Sequence, residues 1–439
     1  MGSKLTFMKG WKRMNKEKII AEAIQTLNRS EDSEEAKLED LIEFYEDKNQ
    51  VLLNYRQRKA VKMVFQNNLS IIVGGPGTGK STILDIVLCI AKHEDKKILL
   101  AAPTGKAAQR MEESTGFPAK TIHDHLGYDG QRFNQNHLDA DLIVIDEASM
   151  IDTEVGCALL KAIPEKARVV FVGDNRQLPP VGDGNVFSDM CQTTAIHKTF
   201  LNQVMRQDGE SSIAINAARI RRNNPDIVFD ENFVFVEKDT SEAIAEEVMS
   251  RFIELSQKSS CLILSPYRSK TVTGTDQLNK MIVREIKKGA ANHVVLDGKF
   301  FFNGERVIFS RNMKRDKLSV KNGETGVIKI DKSKNITFIN DDTKEEKHID
   351  INDESLVSEM EPGYALTIHK SQGSEAANVI IVIDKKHKNM MTLNLLYTAI
   401  TRAKKKVVLI GSRAAFDECI KKGFPKVPKT ALRGYLEEI

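Results

Sequence analysis

The chain has 439 residues, enough for two or three domains with sizeable cores. Hydrophobic residues at 41% and charged residues at 29% are the balance of a folded globular chain, which excludes a disordered one. A net charge of +4 is too small for a uniformly basic coat, so any surface for a polyanion must be local. Five scattered cysteines (Cys89, Cys157, Cys191, Cys261, Cys419) form no CxxC pair. That argues against a disulfide framework or structural zinc and predicts a cytoplasmic protein. No apolar stretch reaches the roughly 18 residues of a membrane span. Lys9, Lys12 and Lys16 are followed by no signal-peptide core, and the formal match of residues 1–6 to a myristoylation pattern is discounted.

In chain order, residues 1–50 carry apolar residues at helical spacing, first at Ile19, Ile20, Ala23, Ile24 and Leu27, then at Leu38, Leu41, Ile42 and Tyr45. Two helices packed on the main body are expected, broken at 28–35. Short apolar runs then recur at 71–73, 98–101, 142–145 and 169–172, and later at 262–264, 379–383 and 407–410. Each ends in a polar, glycine- or acid-rich turn and alternates with amphipathic stretches, which predicts α/β domains built on parallel sheets. The first is expected over 51–192 and the second over 193–439. Turn-rich residues 127–138 predict a protruding hairpin in the first. Residues 301–351 predict a small β-barrel inserted in the second, from short strands separated by turns such as Asn322-Gly323.

Gly74-Gly75-Pro76-Gly77-Thr78-Gly79-Lys80-Ser81 satisfies GxxxxGK[ST] directly after a strand and before a helix. Glycines let the backbone N–H groups face phosphates, and Gly75, Gly77, Thr78, Gly79, Lys80, Ser81 and Thr82 are the expected ATP contacts. Lys80 suits the β and γ phosphates and Ser81 suits Mg²⁺. Asp146-Glu147 ends the run 142–145 at the edge where open α/β sheets bind ligands. Asp146 is the expected Mg²⁺ holder and Glu147 the general base. Gln177, after the run 169–172, can orient water through its neutral donor and acceptor. Arg206 and Arg402 are the candidate arginine fingers, although either alone is more often a surface ion pair.

Read in order, these blocks resemble the motif series of superfamily-one helicases, and specifically the RecD-like branch. Leu53-Asn54-Tyr55-Arg56-Gln57-Arg58 resembles the adenine-reading motif, with Gln57 in the reading position. Ala102-Pro103-Thr104-Gly105-Lys106 and Thr121-Ile122-His123 resemble its strand-contacting motifs. Tyr364-Ala365-Leu366-Thr367-Ile368-His369-Lys370-Ser371-Gln372-Gly373 is the most branch-specific block, and Arg402 falls on the arginine of the final motif. The resemblance implies two RecA-like motor domains with ATP between them, Arg206 and Arg402 reaching the γ-phosphate from the second. It also implies an SH3-like character for the inserted barrel and a strand-separating pin for the 127–138 hairpin, where Phe133 could stack on the first base pair. Longer RecD-like proteins carry a large region before the motor, where residues 1–50 stand here.

Pro103, Thr104, Lys106, Thr121, His123, Thr367, His369, Lys370 and Ser371 are mostly small polar or basic residues near strand ends. Such groups grip phosphate and sugar without reading bases. The expected function is an ATP- and Mg²⁺-dependent 5′→3′ DNA helicase acting on single strands and duplex junctions, with polarity implied by the resemblance alone. Its rivals are an RNA helicase of the same superfamily and a single-strand-stimulated ATPase that strips proteins without unwinding. Replication or recombination proteins are the expected kind of partner, and pathway and oligomeric state stay open.

Overall fold

The computed structural model describes residues 2–30, 35–203, 211–288, 293–296, 298–315, 318–341, 343–426 and 430–438. The chain divides into two compact units, residues 1–209 with 426–439, and residues 210–425.

The first unit is built on six strands: β1 (Leu69–Gly74), β2 (Ile98–Ala102), β3 (Ala119–Thr121), β4 (Leu142–Ile145), β5 (Arg168–Gly173) and β6 (His197–Leu201). They lie in the order β3-β2-β4-β5-β1-β6, and every pairing is parallel. β1 and β4 are buried along their whole length, the burial that continuous apolar runs demand when helices cover both faces. Alternate residues serve opposite cores. Ile71, Val73, Ile143, Ile145 and Phe171 pack with Ile20, Ile24, Leu432 and Leu436 on one face. Ile72, Val144, Val170 and Val172 pack with Leu38, Ile42 and Tyr45 on the other.

The N-terminal residues are therefore part of this unit. Helix Gly2–Leu27 joins the first face and helix Glu35–Asn49 the second. Arg58 pairs with Glu39 and Glu46, fixing the second helix to helix Tyr55–Gln66 just before the P-loop.

The boundary also differs from the expectation of 192, because β6 pairs with β1 and keeps residues 193–209 in the first unit. The C-terminal helix Ala431–Glu437 returns to that unit as well. The Leu432 N–H donates to Glu17 at 3.1 Å, the Thr430 hydroxyl to Asp189 at 2.8 Å and the Thr193 hydroxyl to the Leu436 carbonyl at 3.0 Å.

The second unit begins its sheet with β7 (Phe233–Glu237) and β8 (Cys261–Ser265). After helix Thr275–Lys287 comes an antiparallel module: β9 (His293–Leu296), β10 (Lys299–Phe302), β11 (Arg306–Phe309), β12 (Met313–Arg315), β13 (Leu318–Val320), β14 (Thr325–Ile330), β15 (Ile336–Asn340), β16 (Glu346–Ile349) and β17 (Met360–Pro362). Five of these form the sheet β16-β15-β14-β11-β17, and the rest form two ribbons, β10-β9 and β12-β13. Val307, Phe309, Ile328 and Phe338 give the module its own core, wider in sequence than the 301–351 expected. The parallel sheet then resumes with β18 (Ala365–Thr367), β19 (Ala376–Ile383) and β20 (Ala403–Gly411), in the order β18-β8-β19-β20-β7. Among the described residues no helix is long and apolar enough to cross a membrane.

Candidate nucleotide and nucleic-acid site

Because all six strands of the first unit run parallel, their carboxyl ends share one edge. The P-loop follows β1 there. Gly77 (φ 71°) and Gly79 (φ 82°) adopt the left-handed conformation that lets the chain curl, and Gly79 caps helix Lys80–His93. The Thr78 hydroxyl donates to the Gly75 carbonyl at 2.8 Å. Lys80 Nζ lies 2.8 Å from the Gly74 carbonyl and 3.0 Å from that of Gly75, at the loop's mouth. Ser81 is exposed and Thr82 half-buried on the first turn.

Gln57 does stand beside this loop, but both ends of its amide are engaged. Its Oε1 accepts the Asn54 N–H at 2.9 Å in a capping box, and its Nε2 donates to the Thr78 carbonyl at 3.2 Å. A Cβ on Gly79 would fall 2.1 Å from that Nε2, so a side chain there would displace the Gln57 amide, and φ 82° already favours glycine. Here Gln57 braces the loop, and adenine reading would require it to exchange these bonds.

Asp146 and Glu147 follow β4. Glu147 is in the left-handed region at φ 50°, unusual outside glycine, and its N–H donates to Asp146 Oδ1 at 2.7 Å. Desolvation, reinforced by the Glu147 carboxylate, pushes the Asp146 carboxyl up to about 6, against the opposing charges of Lys80 and Arg110. A dication would relieve that penalty. Among the described residues no three metal-binding side chains cluster. Gln177 follows β5; it is buried, and its N–H donates to the Asp174 carbonyl at 3.1 Å.

The expected strand-contacting residues reach the same edge. Pro103, Thr104 and Lys106 follow β2, and Thr121 and His123 lie at the end of β3. The Thr104 hydroxyl caps helix Gly105–Thr115 through the Ala107 N–H, and that of Thr121 caps helix Ile122–His125 through the Asp124 N–H. Burial holds the His123 imidazole below the usual histidine range, although Asp152 and Asp124 oppose it. In the second unit burial does the same to His369. In both rings burial thus favours the neutral imidazole, which hydrogen-bonds rather than pairs by charge.

Residues 127–138 form a compact loop with a single antiparallel bridge, Tyr128–Phe133, where a hairpin was expected. Asp129 explains the compaction. Its carboxylate accepts the Gln131 and Arg132 N–H groups at 2.9 Å and the Asn134 amide at 3.0 Å, closing the turn on itself. Phe133, for which a first-base-pair role was expected, is half-buried and packs in part against the first core. The exposed ring of this loop is that of Tyr128, which the sequence reading passed over.

Thr367 ends β18 in the second unit, and His369, Lys370 and Ser371 follow it. Thr367 Oγ1 accepts the Lys370 N–H, and Lys370 Nζ lies 3.7 Å from Glu361. Ser371 was expected to touch the strand, but it is fully buried and its hydroxyl donates to the Ile368 carbonyl at 2.8 Å. It shapes the turn instead. Arg268, exposed after β8, lies 2.7 Å from the same Glu361. Arg402 is buried beneath helix Leu393–Ile400 rather than exposed, its Nε 3.1 Å from the Thr398 carbonyl. Arg206 lies outside the described residues.

Two family models match the chain, an AAA domain over residues 52–238 and a UvrD-like helicase C-terminal domain over 362–410. The ATP-dependent RecD2 DNA helicase of Deinococcus radiodurans is 32% identical over 370 residues, covering 83% of this chain and 50% of that protein. The chain thus spans about half the length of that relative. The RecBCD enzyme subunit RecD of Mycolicibacterium smegmatis is 29% identical, covering 83% of this chain and 72% of its own. In fold, the chain is similar to Bacteroides Pif1 bound to single-stranded DNA, with a TM-score of 0.52, 18% identity, and coverage of 86% of this chain and 95% of that one.

Proposed function

From the premise that this chain belongs to the RecD-like branch of the superfamily-one helicases, we propose that it is an ATP-driven motor that moves 5′→3′ on single-stranded DNA and unwinds duplex ahead of it. The observation that carries this reading is the common carboxyl edge of the first sheet. There the P-loop, the Asp146-Glu147 pair and Gln177 share one side of the unit with Pro103, Thr104, Lys106 and His123. Nucleotide chemistry and strand grip thus occupy loops of one rigid scaffold, which is what coupling hydrolysis to movement requires.

The roles follow from the chemistry. Lys80 and the P-loop N–H groups hold the phosphates, Glu147 takes the proton of the attacking water, and Gln177 orients that water. Ser81 and Asp146 would hold Mg²⁺, which supplies charge neutralisation on the phosphates. Arg402 and Arg206 are the arginines we assign to the developing γ-phosphate charge. The units are read as RecA-like motor domains, the module at β9–β17 as the SH3-like insertion, and the loop 127–138 as the pin. Single strands and duplex junctions are the substrate; replication or recombination proteins would be its partners.

Strand displacement with ATP on duplexes bearing a 5′ or a 3′ single-stranded tail tests the reading. Unwinding of the 5′-tailed DNA is expected, with ATPase activity stimulated more by single-stranded DNA than by RNA. Preference for RNA supports the first rival, and protein displacement without unwinding supports the second.

A second expectation concerns the pin. Replacing residues 129–136 with a short Gly-Ser link should spare DNA-stimulated hydrolysis and single-strand translocation while unwinding collapses. The ATP and strand loops lie outside the segment; its turn closes on its own Asp129, and its contacts with the rest of the unit include Phe133, against the first core and the His123 ring. Parental unwinding by this variant would move the pin elsewhere, with the β9–β17 module as the next suspect.

A further inference from the structure

We propose that His387 and Thr273 form a joint in the second unit through which a bound single strand speeds hydrolysis, His387 acting as a positioning residue for Arg402; the proposal rests on reading the chain as a single-strand motor. His387 is fully buried, yet its Nδ1 has no partner among the described residues. Buried polar atoms are nearly always satisfied, so a ring kept only to fill space would be better apolar. Its other nitrogen shows what the ring is for.

His387 Nε2 lies 3.1 Å from Thr273 Oγ1 and 3.0 Å from Thr271 Oγ1. The Thr273 hydroxyl donates to Asp384 Oδ2 at 2.8 Å, so its oxygen is left to accept and the ring proton belongs on Nε2. Asp384 also accepts the Lys386 N–H at 2.9 Å and the Ser241 hydroxyl. Burial holds His387 below the usual histidine range although Asp384 opposes it, so the ring joins the two hydroxyls in its neutral form. Two segments distant in sequence meet here, the turn after β8 and the turn after β19.

The turn after β8 is stitched to itself. The Gly274 N–H donates to the Thr271 carbonyl and the Asp276 N–H to the Arg268 carbonyl, both at 3.0 Å. The Ser265 hydroxyl donates to the Thr273 carbonyl at 2.8 Å, and a Cβ on Gly274 would fall 2.7 Å from the Arg268 carbonyl oxygen. Held this tightly, the turn moves as one piece. At its outer end Arg268 shares Glu361 with Lys370, at 2.7 and 3.7 Å. Exposed ion pairs are weak, so a phosphate that draws Lys370 away changes how Glu361 holds Arg268.

The turn after β19 leads the other way. The His387 carbonyl accepts the Met390 and Met391 N–H groups, each at 2.9 Å. Thr392 then caps helix Leu393–Ile400 through the Leu395 N–H, and the far end of that helix holds Arg402 through the Thr398 carbonyl. Close-packed interiors transmit strain rather than absorb it. A shift at Thr273 therefore reaches the Arg402 guanidinium through hydrogen bonds and one packed helix.

Hydrolysis measured with and without oligothymidylate, beside the affinity for that oligonucleotide, tests the joint. Thr273→Val keeps the side chain's shape and removes its hydroxyl. Asp384 retains the Lys386 and Ser241 donors and His387 retains Thr271, so no charge is left bare. His387→Phe keeps a ring against Tyr267, 5.0 Å away, and removes both nitrogens. Each variant should lower the stimulation by the strand roughly two- to thirty-fold, the size of a coupling change along such a series. Hydrolysis without DNA and affinity for the oligonucleotide should stay at the parental level. Thr273→Ser, which restores the hydroxyl, should recover the stimulation. The two variants alter different segments, so one still decides where the other unfolds. Parental stimulation in a folded variant, equal loss of the two rates, or a serine no better than valine overturns the joint and leaves the motor reading standing. A parent whose hydrolysis ignores the strand overturns the motor reading, and the joint with it.

Discussion

Lys80→Ala should lower ATP hydrolysis by on the order of 10³-fold or more, because it removes a preorganised cation from the charge that develops on the phosphates. The rest of the molecule should tolerate the change. Alanine is the best helix former and Lys80 opens helix Lys80–His93, so the helix is not weakened. The bonds lost are those from Nζ to the Gly74 and Gly75 carbonyls, together worth about 1–3 kcal/mol. Curvature of the loop resides in Gly77 and Gly79, which are untouched. Oligonucleotide binding without nucleotide should therefore survive, since Thr104, Lys106 and His123 stand on other loops. Steady-state hydrolysis beside anisotropy with a labelled single strand measures both properties. Undiminished hydrolysis by a clean preparation would sink the P-loop assignment.

The fold was legible where local chemistry leaves little choice. A strand buried on both faces must be apolar throughout, so the runs at 142–145 and 379–383 announce β4 and most of β19. The P-loop is legible because a backbone at φ 71° and 82° is readily adopted by glycine alone.

β6 was not legible. It is an edge strand, His197–Leu201, exposed at its first residue and only half-buried at two others, so no apolar run marks it, and nothing local tells it to pair with β1. The return of the C-terminal helix to the first unit is equally non-local: its cause is a groove beside Glu17 and Asp189, formed by segments more than 200 residues away.

In the site, residue type was readable but orientation was not. Tyr128 and Phe133 are both aromatic residues in one turn-rich segment, and only packing leaves the first exposed and half-buries the second against the core. Ser371 and Thr367 look alike as hydroxyl-bearing residues in one motif. The turn after β18 buries the former, and the latter, the last residue of β18, is half-open.

Arg402→Ala should slow hydrolysis by roughly 10³–10⁵-fold, the worth of an arginine finger, while changing ADP affinity little. Its position makes the test sharper than for an exposed arginine. Arg402 is buried between helix Leu393–Ile400 and β20, its Nε bonded to the Thr398 carbonyl and one terminal nitrogen 3.3 Å from Thr401 Oγ1. These bonds fix the guanidinium plane, and a finger depends on such fixing, because a preorganised donor costs no reorganisation when the phosphate charge develops. They also mean that the alanine variant loses charged hydrogen bonds of about 1.5–3 kcal/mol each, which a fall in thermal midpoint would record. The two roles separate by ligand. A purely structural arginine, once removed, should weaken every nucleotide alike. A finger should leave ADP nearly unaffected and weaken the ADP–aluminium fluoride complex, which mimics the transferring phosphoryl group, by orders of magnitude. Arg402→Lys should recover little of the rate, since an ammonium cannot both hold the Thr398 carbonyl and present a planar fork. Hydrolysis at the parental rate, or equal loss of ADP and the fluoride complex, would remove Arg402 from the reaction.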